Sequence, residues 1–292
     1  VLGITMFRIK NNAISHSASL MNTTPALPTA SSNRCSRVVA SSPRNEEYYA
    51  IWTSWEKNAP AGLGEQRDVA VARIHDALER NNDFLDLSKL NLSSLPENIP
   101  AHIKKMNISR NFLCNLPDNL PKELRELDAS RNTLTTLPNN LPKNLSILNL
   151  SDNDFDKFPQ RLPASISHLF MKSNKLNGEI NNLPNSLLYL DLHYNKINVL
   201  SDNLPPLIQY VNLSFNKLHQ LPQFFPKSIT FIDLRFNELR SLPDNLPNSI
   251  QHLDLRNNKL DNLPDNLPTS IEQLNLGFNR PNKLPNNLPN SL

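Results

Sequence analysis

The chain has 292 residues, a net charge of +3 and a 20% charged fraction, which leaves room for one large domain or two small ones. So modest a charge gives no strong pull toward nucleic acid or an anionic membrane, and no apolar run approaches the ~18–20 residues that cross a bilayer. Its two cysteines, Cys35 and Cys114, supply neither a disulfide framework nor metal-ligand spacing, as suits a reducing compartment.

Residues 1–45 are rich in Ser, Thr, Asn and Pro without periodicity, and are expected to be a flexible leader. The opening VLGITMFRIKNNAISHS has basic residues after a short apolar piece and makes a poor secretory signal peptide. It starts on Val1, so either the chain is a fragment or Met6 is the true beginning behind a non-standard start codon. Residues 46–82 are predicted to form two helices. Tyr48, Ile51, Trp52 and Trp55 share one face, Val71, Ile74 and Leu78 another, and NAPAGLG is the break. Such a hairpin is expected to cap the first repeat with its aromatic face.

Residues 83–292 carry one spacing. The pattern L-x-x-L-x-L-x-x-N-x-L recurs with its asparagine at Asn111, Asn132, Asn153, Asn174, Asn195, Asn216, Asn237, Asn258 and Asn279, each 21 residues after the last. Apolar residues five and three before each Asn, such as Leu190/Leu192 and Leu253/Leu255, predict a short strand with one buried face. Others eight before and two after complete a core that only stacked units can close. Each Asn turns inward, where its amide is expected to bond backbone of its own and neighbouring turns. The 24 prolines fall largely in doublets such as Pro117/Pro121 and Pro243/Pro247, which excludes helix and predicts extended, polyproline-like backbone. The expected fold is therefore an α/β-type repeat solenoid. It is a curved leucine-rich-repeat horseshoe with a parallel concave β-sheet, a polyproline-like convex side and an N-terminal α-helical hairpin cap.

Three departures mark this ruler. Leu90 stands where the first unit would have its Asn, and NGEINNLP breaks one proline doublet, with Gly178 and Glu179 expected to make a bulge. Pro281 replaces an inward Leu and the last unit is cut off at Leu292, so the natural protein is expected to continue, with Leu274, Leu276 and Leu284 otherwise left open.

Positions that vary between units point to binding. Six residues before each Asn the column reads Lys105, Glu126, Ile147, His168, Tyr189, Tyr210, Phe231, His252, Gln273. Immediately before each Asn it reads Arg110, Arg131, Asp152, Ser173, Tyr194, Phe215, Phe236, Asn257, Phe278. Clustered, solvent-facing aromatic rings are the material of protein-binding hot spots, although neighbouring rings also stabilise a sheet by stacking. The expected partner-binding set on the concave face is His168, Tyr189, Tyr194, Tyr210, Phe215, Phe231, Arg235, Phe236, His252 and Arg256. Asp128, Asp191, Asp233 and Asp254, with Lys175, Lys196, Lys217 and Lys259 at the following edge, are expected to steer a partner. His168, His193 and His252 have no paired nucleophile, and no G-x-S-x-G, H-E-x-x-H, Walker or C-x-x-C pattern occurs. No catalytic residue, metal or cofactor is expected. The Asn-x-Ser triplets at Asn107, Asn149 and Asn212 arise from the repeat itself.

EYYAIWTSWEKNAPAGLGEQRDVAVARIHDAL, followed by SSLPENIPAHI and the LPxxLP…LxLxxN ladder, resembles the bacterial type III secreted leucine-rich-repeat effectors over about residues 46–292. The family has YopM-like scaffolds and IpaH- and SlrP-like E3 ubiquitin ligases. The resemblance implies a secretion signal in the leader and delivery into the host cytoplasm or nucleus. It also implies binding of host signalling proteins, kinases among them, or of ubiquitination substrates. The ligase branch carries ubiquitin on a C-terminal Cys-x-Asp motif, which neither Cys35 nor Cys114 matches. The helical hairpin is nearer the scaffold branch and the uniform spacing nearer the ligases, so both readings stay open.

Overall fold

The computed structural model describes residues 43–281; residues 1–42 of the expected leader, Cys35 and Leu284 lie outside them. Helices α1 (Pro43–Lys57) and α2 (Arg67–Glu79) come first, α1 starting three residues before the expected boundary. Twelve short strands follow among the described residues, β1 (Phe84–Asp86) to β12 (Gln273–Asn275). Ten make a parallel sheet in the order β1, β2 (Lys105–Asn107), β3 (Glu126–Asp128), β4 (Ile147–Asn149), β5 (His168–Phe170), β7 (Tyr189–Asp191), β9 (Tyr210–Asn212), β10 (Phe231–Asp233), β11 (His252–Asp254) and β12. Paired residues are 21 apart, as in Tyr189↔Tyr210 and Phe231↔His252, so each repeat adds one strand and the chain is a leucine-rich-repeat solenoid.

A strand alternates in and out, so with the residues at −5 and −3 inward, an unbroken alternation would bury position −1 and expose the Asn. The structure reverses the phase with one residue. Lys89, Arg110, Arg131, Asp152, Ser173, Tyr194, Phe215, Phe236, Asn257 and Phe278 all have φ between 52° and 59°. This left-handed residue keeps its own side chain outward and swings the next one into the stack. It still donates its N–H to the neighbouring turn, as Tyr194 does to the Ser214 carbonyl at 3.0 Å.

The inward Asn then ties the backbone of two adjacent turns together. Asn195 Oδ1 accepts from Leu176 N at 3.0 Å, and its Nδ2 donates to the Met171 and Leu192 carbonyls, both at 3.0 Å. The same pattern runs from Asn111, which accepts from both Leu90 and Leu92, to Asn279. Between the rungs lie fully buried Leu187, Leu190, Leu192 and Ile197 and their equivalents, one continuous core.

The return segments contain no helix among the described residues. They are not wholly extended, because the second proline of each doublet opens a turn. Pro121 O, for example, accepts from Leu124 N at 3.1 Å, and Pro205 O from Ile208 N at 3.2 Å, which delivers the buried residue at −8. Where the first proline is missing in two successive units, a second sheet forms from β6 (Asn177–Ile180) and β8 (Lys196–Leu200). Ser201 N donates to Ile180 O at 3.0 Å, a bond that a proline there could not make. The register shifts between Gly178 and Glu179, with Gly178 at φ 79°. The expected bulge is thus part of a strand pair that the sequence reading did not foresee.

The cap is held by an ion pair as well as by rings. Trp52 is fully buried with Nε1 donating to Glu97 O at 3.2 Å, and Trp55 Nε1 reaches Ser94 Oγ at 3.1 Å. Buried Arg67 sits 4.4 Å over the Trp55 ring, bonds the Trp55 carbonyl at 2.5 Å and pairs with Glu65 at 2.5 Å. Ser93 donates its Oγ to Glu65 at 2.5 Å, and Gln66 N bonds Leu90 O at 2.9 Å. On α2 the buried face is Arg67, Ala70, Val71, Ile74 and Ala77, with Leu78 only half-buried. Among the described residues no helix is long and apolar enough to cross a membrane.

Two outcomes follow. Asn195→Ala leaves the Leu176 N–H buried without a partner and takes one of two donors from the Met171 carbonyl, which keeps Asn174 Nδ2; it is expected to cost about 1–3 kcal/mol, read as a lower urea midpoint. Burial pushes the Glu65 carboxyl up, but the hydrogen bonds from Arg67 and Ser93 and the guanidinium charge outweigh it, so its pKa is lowered. That contribution is present above the unfolded value and is lost as pH falls through the folded one. Both tryptophans of the chain lie in the cap, so on acidification their fluorescence should change before the far-UV sheet signal does. Coincident transitions would contradict an acid-sensitive cap.

Candidate protein-docking face of the sheet

Four outward columns cross the open face, at −6, −4, −2 and −1 from each Asn. The −6 column begins every strand of the ten-stranded sheet from β2 on and carries one ladder of rings. Tyr189 and Tyr210 stack at 4.0 Å, Tyr210 and Phe231 at 4.3 Å, and Phe231 and His252 at 4.3 Å, all within 9° of parallel. His168 closes one end at 5.9 Å from Tyr189, and His252 Nδ1 meets Gln273 Oε1 at 2.7 Å at the other. The parallel register places these rings face to face, so each is half-buried by its neighbours rather than free. Burial pushes the Tyr189 and Tyr210 phenols up and holds His168 and His252 below the usual imidazole value. Aromatic side chains suit strand backbone, and each stacked pair adds about 0.5–1.5 kcal/mol beyond burial.

Tyr194, Phe215 and Phe236 do not belong to that ladder. They lie beyond the strands, on the left-handed residues of the −1 column, and stack separately at 4.2 Å and 4.2 Å. Tyr194 is 52% exposed and Phe236 42%. A bulky residue in this conformation costs roughly 1–2 kcal/mol that Asn or Gly largely avoids; Asn257 occupies the same column one turn on. The expected single cluster is therefore two ladders on different backbones.

Between them runs a column the sequence reading took for steering charge. Asp191, Asp233 and Asp254 are 7%, 5% and 5% exposed, and each carboxylate accepts the backbone N–H two residues on, at 3.1–3.2 Å. Asn107, Asp128, Asn149, Asn212 and Asn275 do the same. In this column Asx recurs in every unit except at Phe170, and Asn and Asp share the side-chain oxygen that closes such a turn. That recurrence was the available signal, and it explains the Asn-x-Ser triplets. Arg235 and Arg256, expected to meet a partner, each lie against their own unit's carboxylate while staying partly exposed. Arg256 binds Asp254 through Nε and Nη2 at 3.1 and 2.7 Å, while Arg235 Nε lies 3.2 Å from Asp233 without a hydrogen bond to it. His193 Nδ1 meets Asp191 at 2.6 Å. Along the following edge, Lys175 and Lys259 are taken by Asp154 and Glu238, and Lys196 and Lys217 have no ion pair.

Comparison with known proteins places this frame. A model described as "Type III secretion system leucine rich repeat protein" matches residues 9–72, and a Leucine Rich Repeat model matches 249–269. The solved Shigella effector LRR domain is 31% identical with a TM-score of 0.55, over 66% of this chain and 86% of that one. The chain belongs to the type III secreted leucine-rich-repeat effector family. Outer membrane protein YopM of Yersinia pestis is 51% identical over 65 residues, 22% of this chain and 16% of YopM. E3 ubiquitin-protein ligase ipaH9.8 of Shigella boydii is 49% identical over 65 residues, 22% of this chain and 12% of the ligase. Those matches thus span less than a fifth of either relative's length. Here the family's repeat frame carries two aromatic ladders.

Burial, aided by Asp254, pushes the Asp233 carboxyl up to about 6 against the pull of Arg235. A folded value above the unfolded one means the contribution is full below the unfolded pKa and lost as pH rises through 6. Asp233→Asn keeps the turn-closing oxygen, as Asn212 does. It should raise the urea midpoint at pH 7.5, by an amount on the order of 1–3 kcal/mol, and flatten its dependence between pH 4 and 6. An unchanged slope over that range would contradict the assignment.

Proposed function

We propose that this chain is the protein-recognition module of a type III secreted effector. Delivered into the host cytoplasm or nucleus, it binds host signalling proteins on the open face of its sheet. The observation that carries this reading is the aromatic surface itself. Rings gather on consecutive units of one face, where the frame constrains neither column to be aromatic, as Lys105, Ile147, Arg110 and Ser173 in the same columns attest. Large amphipathic rings held rigid by stacking give contact area at low entropic cost. His168, Tyr189, Tyr210, Phe231 and His252 would form the floor, Tyr194, Phe215 and Phe236 the raised side, with Arg235 and Arg256 between them.

The test uses photocrosslinking, because truncating half-buried rings would also weaken the sheet. A benzophenone amino acid at position 168 or 252, the two ends of the floor ladder, should give adducts with host proteins in a host-cell extract. The same group in place of Phe224, 71% exposed on a return segment, should give none. Adducts confined to position 224 would move recognition to the other side of the solenoid.

The 49% identity to an E3 ubiquitin-protein ligase supports a second reading, in which this module selects substrates for a ligase domain encoded beyond Leu292. Reading the coding region past that residue decides it. A domain with Cys-x-Asp supports the ligase, and a short capping unit followed by a stop codon supports the scaffold.

A further inference from the structure

The two ladders differ in what holds their rings in place. Rings at −6 sit in strand backbone that favours them and are half-buried. Those at −1 sit at φ 55°, where a bulky side chain is disfavoured; within the fold they gain stacking on one another, an edge contact of Tyr194 with His193 and the Arg235 guanidinium beside Phe215. Asp152, Ser173 and Asn257 occupy the same column with the same backbone bond to the next turn. The fold therefore needs the conformation there but not the rings. Strained side chains that the frame does not require, Tyr194 and Phe236 exposed and Phe215 half-buried between them, point to a function outside the fold.

Charge beside the ridge indicates what it meets. Lys196 and Lys217, two residues after Tyr194 and Phe215, are exposed with no ion pair among the described residues, and the Arg235 guanidinium lies 5.9 Å from the Phe215 ring on the other side. The carboxylates of Asp191 and Asp233 are buried in their turns, and exposed Glu238 is taken by Lys259. The free charge bordering the rings is positive. Resting on the protein-binding reading above, we infer that Tyr194, Phe215 and Phe236 form a docking ridge for an acidic protein segment. Its apolar side chains lie on the ring edges, and its carboxylates meet Lys196 and Lys217. Nucleic acid fits the ridge poorly, because rings already stacked at 4.2 Å leave no face between them for a base.

The experiment selects a phage-displayed library of random 12-residue peptides on the intact chain, counter-selected on a Tyr194→Asn/Phe215→Asn/Phe236→Asn variant. Enriched peptides should combine aspartate or glutamate with aromatic or aliphatic residues. A synthetic copy should bind the native chain at least ten-fold more tightly than the triple variant, and than a Lys196→Glu/Lys217→Glu variant. The triple Asn variant should keep or raise the urea midpoint, whereas Tyr189→Ala/Tyr210→Ala/Phe231→Ala should lower it. A basic consensus, no enrichment, or binding undiminished in the Asn variant overturns the proposal. So does a midpoint that falls as far as in the floor-ladder variant. Binding only of phosphatidylserine vesicles or polyuridylate would replace the protein segment with a membrane or a nucleic acid. If crosslinks at position 168 persist while acidic peptides fail, the ridge assignment is lost and protein recognition on this face stands. Acidic peptides without such crosslinks give the reverse.

Discussion

Everything in this solenoid depends on burying one amide per turn. A parallel stack of 21-residue units leaves backbone N–H and C=O groups inside, where an unmet polar group costs about 1–3 kcal/mol. The inward Asn meets three or four of them at once, across a separation of up to 24 residues in sequence. To reach them the chain must break the strict alternation of a strand, and it does so with a left-handed residue before every Asn. The rung and the strain are two halves of one device.

That device also shapes the outer surface. Reversing the phase puts positions −2 and −1 outward in succession, so each unit shows one more side chain to solvent than a plain strand would. The extra column is where Tyr194, Phe215 and Phe236 stand, raised beside the Asx turns that close the strand ends. Core geometry and surface geometry are therefore coupled. The polar frame beneath stays constant while the columns above it vary.

The buried carboxylates show how a charge can be mistaken for a function. Asp191, Asp233 and Asp254 look like a steering row because they alternate with rings on the same face. Each is in fact committed to a backbone N–H, and Asn takes its place in other units because only the side-chain oxygen matters there. Arg235 and Arg256 are drawn back onto these carboxylates, which leaves Lys196 and Lys217 as the charges open to a partner. In the cap, the reverse holds. Arg67 and Glu65 read as ordinary surface residues of a helix start, yet they are buried between Trp55 and Ser94.

The sequence by itself determined the repeat length, the register of the ten strands in the main sheet, the inward Asn and the two-helix cap, because each of these repeats or alternates with a period that the side chains must obey. It also marked where the proline doublet fails, although not that the freed N–H groups would pair into β6 and β8. Only the tertiary structure decided which outward residues are free. Conformation at position −1 is imposed by bonds to the next turn, and residues as different as Arg131, Ser173 and Phe215 adopt it alike, so no composition reveals it. The fate of each charge is likewise set by neighbours a whole turn away or by the turn it closes. A linear pattern could align the rings and carboxylates, but only the packed stack could separate those that hold the sheet from those that stay open to solvent.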